Sequence, residues 1–332
     1  MEGTTVSGIL VICLSTTGDI GQSYLGLLGG AGRVAKELGE ETQAALLGQA
    51  TPEVTKELIA WGADRVFTVA AQLGDFDTDG YLGAAEYLCR KTQPRLVLIL
   101  GDDNGRAIAP RLAYRLGAGL VTDCTGFEIE NGVVTMLKPV YGGKALAQVV
   151  CKTHPQVATV RPKAIDPLPR DEQRSGETVV LRDIPLDTRR KWVEVLERVK
   201  EEVRGVRLED AEIVVSGGRG IGSSEEFAAV FDLARTLGAA VGASRAAVDE
   251  GWVPAGLQVG LTGKIIAPKV YIAVGISGAS QHVAGVSNAR NLVAINADPD
   301  APIFRFARLG VAEDYRSVLP KLGEALQGLM KE

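Results

Sequence analysis

The sequence predicts an α/β protein of two domains, each built on a mainly parallel, doubly wound sheet. Three observations carry this reading. Short apolar runs alternate with helix-patterned stretches, the order of βαβ units. Hydrophobic residues make up 46% of the 332 and aromatics only 5%, which suits a Val/Ile/Leu/Ala core of parallel sheet and helices. In the last third, apolar runs break off into Gly, Ser, Thr, Arg or His in VVSGGRGIG, VGASRAAVDEG, VGLTGK and ISGASQHVAG. An open α/β sheet meets its ligand at the carboxyl ends of its strands, so four such loops in succession point to one large polyanionic ligand.

The first domain is placed at 1–185. Its strands are expected at GILVICL, AALLGQ, RVFTVA and RLVLIL, with helices near Tyr24–Leu38, Pro52–Trp61 and Tyr81–Cys89. Asp102 to Asn104 are plausible caps for a further helix, Arg106–Leu116. Shorter strand-like runs follow in DCTGFEIE, GVVTMLKP, ALAQVVCK and QVATVRP, and Asn131-Gly132 signals a hairpin between the first two. The Pro- and charge-rich stretch 161–185 reads as the crossing between domains, followed by a connecting segment at 186–209. Within that segment WVEVLERVKEEV reads as a strand from its alternating Val193 and Val195, with a helix as the alternative.

The second domain is placed at 210–332. EIVVS, KVYIAVG and NLVAIN are its parallel strands, Ser224–Leu237 and Val311–Leu329 its helices. Ser223 or Ser224 with Glu225 and Glu226 supplies a helix start.

Composition excludes several classes. Thirty-six basic residues against 41 acidic ones give a formal charge of -5, and no basic block stands out, so nucleic acid and anionic membrane are not expected partners. The apolar run at the N-terminus is far shorter than the roughly 20 residues a bilayer needs, and no Lys or Arg precedes it. A cytoplasmic protein without membrane insertion is expected. Cys13, Cys89, Cys124 and Cys151 form no CxxC pair and read as buried thiols. With only His154 and His282 in the chain, no metal site is expected.

Familiar motifs fail. The glycines of Gly217-Gly218-Arg219-Gly220-Ile221-Gly222 do not fall in the GxGxxG order, against a nicotinamide-dependent dehydrogenase. Gly263-Lys264 ends like a phosphate-binding loop, but Gln258 stands at the opening Gly and Ile265 at the Ser/Thr, against an NTPase. There is no GxSxG elbow. What remains is binding: Arg219 could reach a phosphate, and Ser244-Arg245 offers a hydroxyl beside a fixed charge. Thr262 could donate to a ring nitrogen, and Ser277 to Gln281 open a helix suited to a pyrophosphate. His282 could share a cleft with Arg245, giving positive potential and a titratable donor. A flavin reduced by one electron carries negative charge at N1 and O2, which such donors would stabilise. Asn296 and Asp314 suit ribose or adenine. For each residue alone, a tight turn, a capped helix or a solvated side chain is the competing account.

Together, SGGRG, VGASRAAVDEGWVP, VGLTGKIIAPKVYIAVGISGASQH and NLVAINADPDAPIF resemble the C-terminal domain of the alpha subunit of electron-transfer flavoproteins. The first domain resembles the same family through GRAIAPRLAYRLGAGLVTDCTGFE, PVYGGKALA and VATVRPKAID. The resemblance implies one FAD in the second domain, contacted by Arg219, Ser244, Arg245, Val259, Gly260, Leu261, Thr262, Ser277, Gly278, Ala279, Ser280, Gln281, His282, Asn296 and Asp314. Within that set Arg245, Thr262 and His282 would tune the flavin, Thr262 donating to N5 and His282 lying near O2. It implies an electron carrier rather than a stand-alone enzyme, with a beta subunit that holds AMP or a second FAD and contacts the first domain. Flavin dehydrogenases of the acyl-CoA type used in fatty acid β-oxidation, a quinone reductase or ferredoxin acceptor, and electron bifurcation are the associated expectations. A colourless nucleotide-binding module is the non-redox alternative. Two departures stand out: Leu261 where the family has Gln, and Lys144 in the usual GGNA.

Overall fold

The computed structural model describes residues 7–15, 18, 20–69, 73, 76–143, 145–182, 184, 196, 206–209 and 211–329. The chain divides into two compact units, Met1–Arg198 and Val199–Glu332. Lys144 and, apart from Leu196, the Trp192–Val203 run lie outside the described residues.

In the first unit, β1 (Ile9–Ser15), α1 (Gln22–Leu38), β2 (Thr42–Gly48), α2 (Pro52–Ala60), β3 (Arg65–Val69), α3 (Thr78–Thr92), β4 (Leu96–Leu100) and α4 (Asp103–Leu116) follow in strict alternation. Every residue of β1, β2 and β4 is buried, as expected of strands covered on both faces. Local chemistry fixes the helix ends. Thr51 accepts from the Val54 N–H at 3.3 Å to open α2, Asp102 accepts from the Gly105 N–H at 2.7 Å to open α4, and left-handed Gly39 and Gly117 close α1 and α4.

The chain continues as β5 (Leu120–Cys124), β6 (Gly126–Glu130), β7 (Val133–Val140), β8 (Ala145–Val149), β9 (Gln156–Val160) and β10 (Glu177–Val180). The main sheet is parallel with order β10-β3-β2-β1-β4-β9-β5, and β6-β7-β8 form a separate antiparallel sheet. Asn131 and Gly132, at φ 51° and 77°, make the two-residue turn between β6 and β7.

One expectation is corrected here: 161–185 is not a free crossing. Its described residues lie along the first unit, where the Asp171 N–H donates to the Ala60 carbonyl at 2.9 Å, Arg33 donates to the Asp166 carbonyl at 2.8 Å, and Glu177–Val180 pair with β3 as an edge strand. Pro and charged residues suit such an edge as well as they suit a linker, because neither invites a further strand.

The second unit runs β11 (Ile213–Gly217), α5 (Ala228–Thr236), β12 (Ala240–Ala243), α6 (Arg245–Asp249), β13 (Val270–Val274), α7 (Ser280–Val286), β14 (Asn291–Asn296), β15 (Leu309–Ala312) and α8 (Tyr315–Leu329). All strands are parallel in the order β12-β11-β13-β14-β15. Alternate residues feed two cores: Val214, Tyr271 and Ala273 pack with Val283 and Val286 of α7, whereas Val215, Ile272 and Val274 pack with Phe227, Val230 and Leu319. That period of two is what a doubly wound sheet requires. Both helix expectations are shortened. Ser223 accepts from the Glu226 N–H at 3.2 Å in a turn that precedes α5, and the β-branched Val311 belongs to edge strand β15 rather than to α8.

Candidate functional site

The strand order of the second unit reverses between β11 and β13, which opens a crevice at the carboxyl ends of those strands. A cavity of about 550 Å³ lies there, in the range of small-molecule sites, and its wall draws on the segments after β11, β12, β13 and β14.

After β11 come Arg219 and Gly220, with the Arg219 side chain exposed. The preceding glycines serve packing. A Cβ on Gly217 would meet the Phe227 ring at 2.4 Å, and a Cβ on Gly218 would stand 2.2 Å from the Gly275 carbonyl oxygen. The β11 and β13 loops therefore touch backbone to backbone, and Gly275, in the left-handed region at φ 62°, lines the cavity from the other side.

After β12, Ser244 opens α6 by accepting from the Ala247 N–H at 3.4 Å. Arg245, exposed, donates to Asp249 at 3.3 Å. Both partners face water, so the contact is weak and leaves the cation available. The following loop is fixed by backbone bonds: Val259 N–H to Ala243 O at 2.9 Å, Gly260 N–H to Lys264 O at 3.1 Å and Leu261 N–H to Gln281 O at 2.9 Å. Thr262 accepts from Gln258 Nε2 at 2.9 Å. Ser244 and Thr262 thus share a feature: each hydroxyl accepts locally and keeps its own proton for a ligand acceptor.

After β13, Ile276, Ser277, Ala279, Gln281 and His282 line the cavity. No side chain caps the start of α7, since Ala279 stands at that position. His282 is 7% exposed and its Nε2 lies 2.8 Å from Tyr271 Oη, while its buried Nδ1 has no hydrogen-bond partner among the described residues. Burial pushes its pKa down to about 4, with the Val259 backbone opposing the shift. The titratable donor expected at this position is thus neutral at pH 7, and positive potential in the cavity comes from the arginines. After β14, Asn296 lines the cavity, but its amide donates to the Ile276 carbonyl at 2.9 Å and accepts from the Asp298 N–H at 3.0 Å, tying the two loops together.

The cavity therefore gathers Arg219, Ser244, Arg245, Val259, Gly260, Thr262, Ser277, Ala279, Gln281, His282 and Asn296. Four others stand off its wall. Leu261 is exposed; Gly278 packs on Ile303; Ser280 donates to the Gln281 side chain at 3.3 Å; and Asp314 accepts from the Arg316 N–H at 2.9 Å in the turn that opens α8. Sequence reasoning missed Asp249, Asp298 and Ala301 on the wall and Gly285 behind it. A Cβ on Gly285 would meet Gly260 Cα at 2.5 Å, so the 259–264 loop sits directly on α7. The small residues Ala284-Gly285 in HVAGV are the sequence signal of a close approach there.

A second cavity, about 570 Å³, lies between α5 and α8. Glu225, Glu226, Asp232 and Glu324 face Arg316 in its lining, and Glu226 is already bonded to that arginine at 2.6 Å. This acidic wall does not suit a polyanion, whereas the strand-end cavity, with two exposed arginines and three hydroxyls, does.

Comparison with known proteins gives a consistent answer. Residues 207–287 match the family model described as the electron transfer flavoprotein FAD-binding domain, and residues 9–185 match the electron transfer flavoprotein domain. The electron transfer flavoprotein subunit alpha of Thermoanaerobacterium thermosaccharolyticum is 42% identical over 306 residues, 91% of this chain and 92% of the relative. The same subunit of Clostridium acetobutylicum is 38% identical over 97% of each chain. Lactate dehydrogenase (NAD(+),ferredoxin) subunit LctC of Acetobacterium woodii is 36% identical over 97% of this chain and 77% of its own length.

Proposed function

Since this chain belongs to the electron-transfer flavoprotein family as an alpha subunit, we propose that it carries FAD in the strand-end cavity of its second unit and passes electrons between dehydrogenases and an acceptor. The observation that carries the reading is the convergence of Arg219, Ser244, Arg245, Thr262 and His282 on one cavity, inside or beside the stretch that matches an FAD-binding domain.

The residues fit the group. Two exposed guanidinium groups suit a pyrophosphate, two hydroxyls with free protons suit ring and ribityl acceptors, and the orphaned Nδ1 of His282 is a buried polar atom in need of a partner. FAD supplies reversible uptake of electrons. The chain supplies binding and tuning: Arg219 and Arg245 hold negative charge, Ser244 and Thr262 orient the ligand, and His282 offers a neutral hydrogen bond from a dry wall. No side chain is assigned an acid or base role, in keeping with a carrier. The remaining contacts suggested by the family pattern, Val259 to Leu261, Ser277 to Gln281, Asn296 and Asp314, belong to the same proposal.

A smaller beta subunit binding AMP or a second FAD would complete a heterodimer acting in the cytoplasm, with the first unit as its contact. A simple shuttle from acyl-CoA-type flavin dehydrogenases and a bifurcating system are the two modes, and likeness to a lactate dehydrogenase (NAD(+),ferredoxin) subunit favours considering the second. The test is the absorption spectrum and nucleotide content of the protein copurified with that subunit. One flavin with AMP gives the shuttle; two flavins reducible by NADH give bifurcation. A colourless preparation holding only a nucleotide would sink the FAD reading.

A further inference from the structure

Tyr271 belongs to β13, one layer behind the cavity, and is fully buried. The FAD reading does not call on it. Its Oη lies 2.8 Å from His282 Nε2, and the two rings lie tilted at 48° with centroids 6.0 Å apart. From this geometry we infer that Tyr271 is a positioning residue for the flavin site: its phenol donates to His282 Nε2, locks the imidazole in the Nδ1–H tautomer, and so gives the cavity a hydrogen-bond donor of fixed direction. This rests on the proposal that the cavity holds FAD.

The direction of the bond follows from the chemistry of the two groups. Burial raises the Tyr271 pKa and lowers that of His282, so both groups are neutral and the imidazole carries one proton. A neutral phenol is the stronger donor and an unprotonated imidazole nitrogen the stronger acceptor, so across the 2.8 Å contact Oη donates to Nε2 and the ring's own proton sits at Nδ1. Nδ1 is then left with a proton and no hydrogen-bond partner among the described residues, on a residue that lines the cavity. A carbonyl-type oxygen or ring nitrogen of the bound ligand supplies what is missing.

The experiment uses the FAD-loaded complex with 15N-histidine in this chain. It has two histidines, so a His154→Gln variant assigns the spectrum. The expected result is a single Nδ1–H tautomer at His282, a shift toward the Nε2–H form in Tyr271→Phe with FAD still bound, and a lower flavin midpoint potential. In a His282→Ala background, Tyr271→Phe then has no further effect on the potential. Where Tyr271→Phe fails to fold, 3,5-difluorotyrosine at position 271, a stronger donor of the same shape, is expected to strengthen the bond and move the His282 15N shifts the opposite way. Wild-type tautomer and potential in an FAD-loaded Tyr271→Phe protein, or unmoved shifts with difluorotyrosine, overturn the inference. Wild-type complex that holds no FAD overturns the reading beneath it instead.

Discussion

A Cβ on Gly218 would stand 2.2 Å from the carbonyl oxygen of Gly275, so the loops after β11 and β13 can meet only where one of them has no side chain. This contact sits at the switch point of the second sheet, beside the cavity that Gly220 and Gly275 line. Gly218→Ala is expected to destabilise the second unit by more than about 2 kcal/mol, since the obstacle is backbone and cannot turn away. Gly323→Ala, in α8 with nothing within 4 Å of the added atom, is expected to stabilise by about 0.5–1 kcal/mol. Urea unfolding of the two variants checks the opposite signs.

Arg219 and Arg245 are expected to act on retention of the cofactor. Replacing either by Ala should weaken FAD binding roughly ten- to a hundredfold, the value of a charge-assisted hydrogen bond of about 1.5–3 kcal/mol. Arg316→Ala, in the acidic cavity between α5 and α8, should leave it unchanged. Equilibrium dialysis of FAD against the three variants decides this, and equal affinities would remove the arginines from the site.

His282 and Arg245 should also set the flavin potential. Each provides hydrogen bonding or charge that favours the reduced, more negative flavin, so His282→Ala and Arg245→Ala should both lower the midpoint potential. Spectroelectrochemical titration reads the shift, and unchanged values in both variants would reject these roles.

The buried imidazole carries a stability signature. Its pKa is about 4 in the folded protein against an ordinary 6.5, so between these values the unfolded chain binds a proton that the folded chain refuses. Stability is fully present above pH 6.5 and is lost as pH falls toward 4, by an amount on the order of 3 kcal/mol. Denaturant melts of the flavin-free chain at pH 7 and pH 4.5 should show a shallower loss in His282→Asn than in the parent.

A fourth site concerns the first unit. Arg161, 7% exposed at the end of β9, donates to both oxygens of Asp123 at 2.9 and 2.7 Å, and Asp123 is held at φ 62° beside the irregular pairing of β5. Asp123→Ala is expected to cost about 2–4 kcal/mol by weakening the pairing of a buried guanidinium and forcing Ala into a left-handed conformation. Asp123→Asn should cost less. Thermal melts of both variants supply the comparison.

Much of this architecture was legible because its signals are local. Strict alternation gave the parallel sheets, Asn131-Gly132 gave a hairpin turn, and Asp102 capped α4 as its position suggested. Two things were not legible. The Pro-rich run 161–185 carries linker chemistry, and only the parallel partner β3 makes Glu177–Val180 a strand. The state of His282 depends on its burial by residues distant in the sequence, so no inspection of SGASQH could tell a charged ring from a neutral one. Gly218 and Gly275 teach the same lesson: glycines far apart in the sequence are, in space, room made for each other.

The neutrality of His282 shifts the cavity's positive charge outward. Arg219 and Arg245, both exposed, stand at the mouth, where ions screen them over about 8 Å at physiological salt. The buried part of the wall at His282 is uncharged. Ionic strength therefore bears most on how quickly a dinucleotide is drawn in, while its residence rests on short-range hydrogen bonds, those of the two arginines included, and responds less to salt.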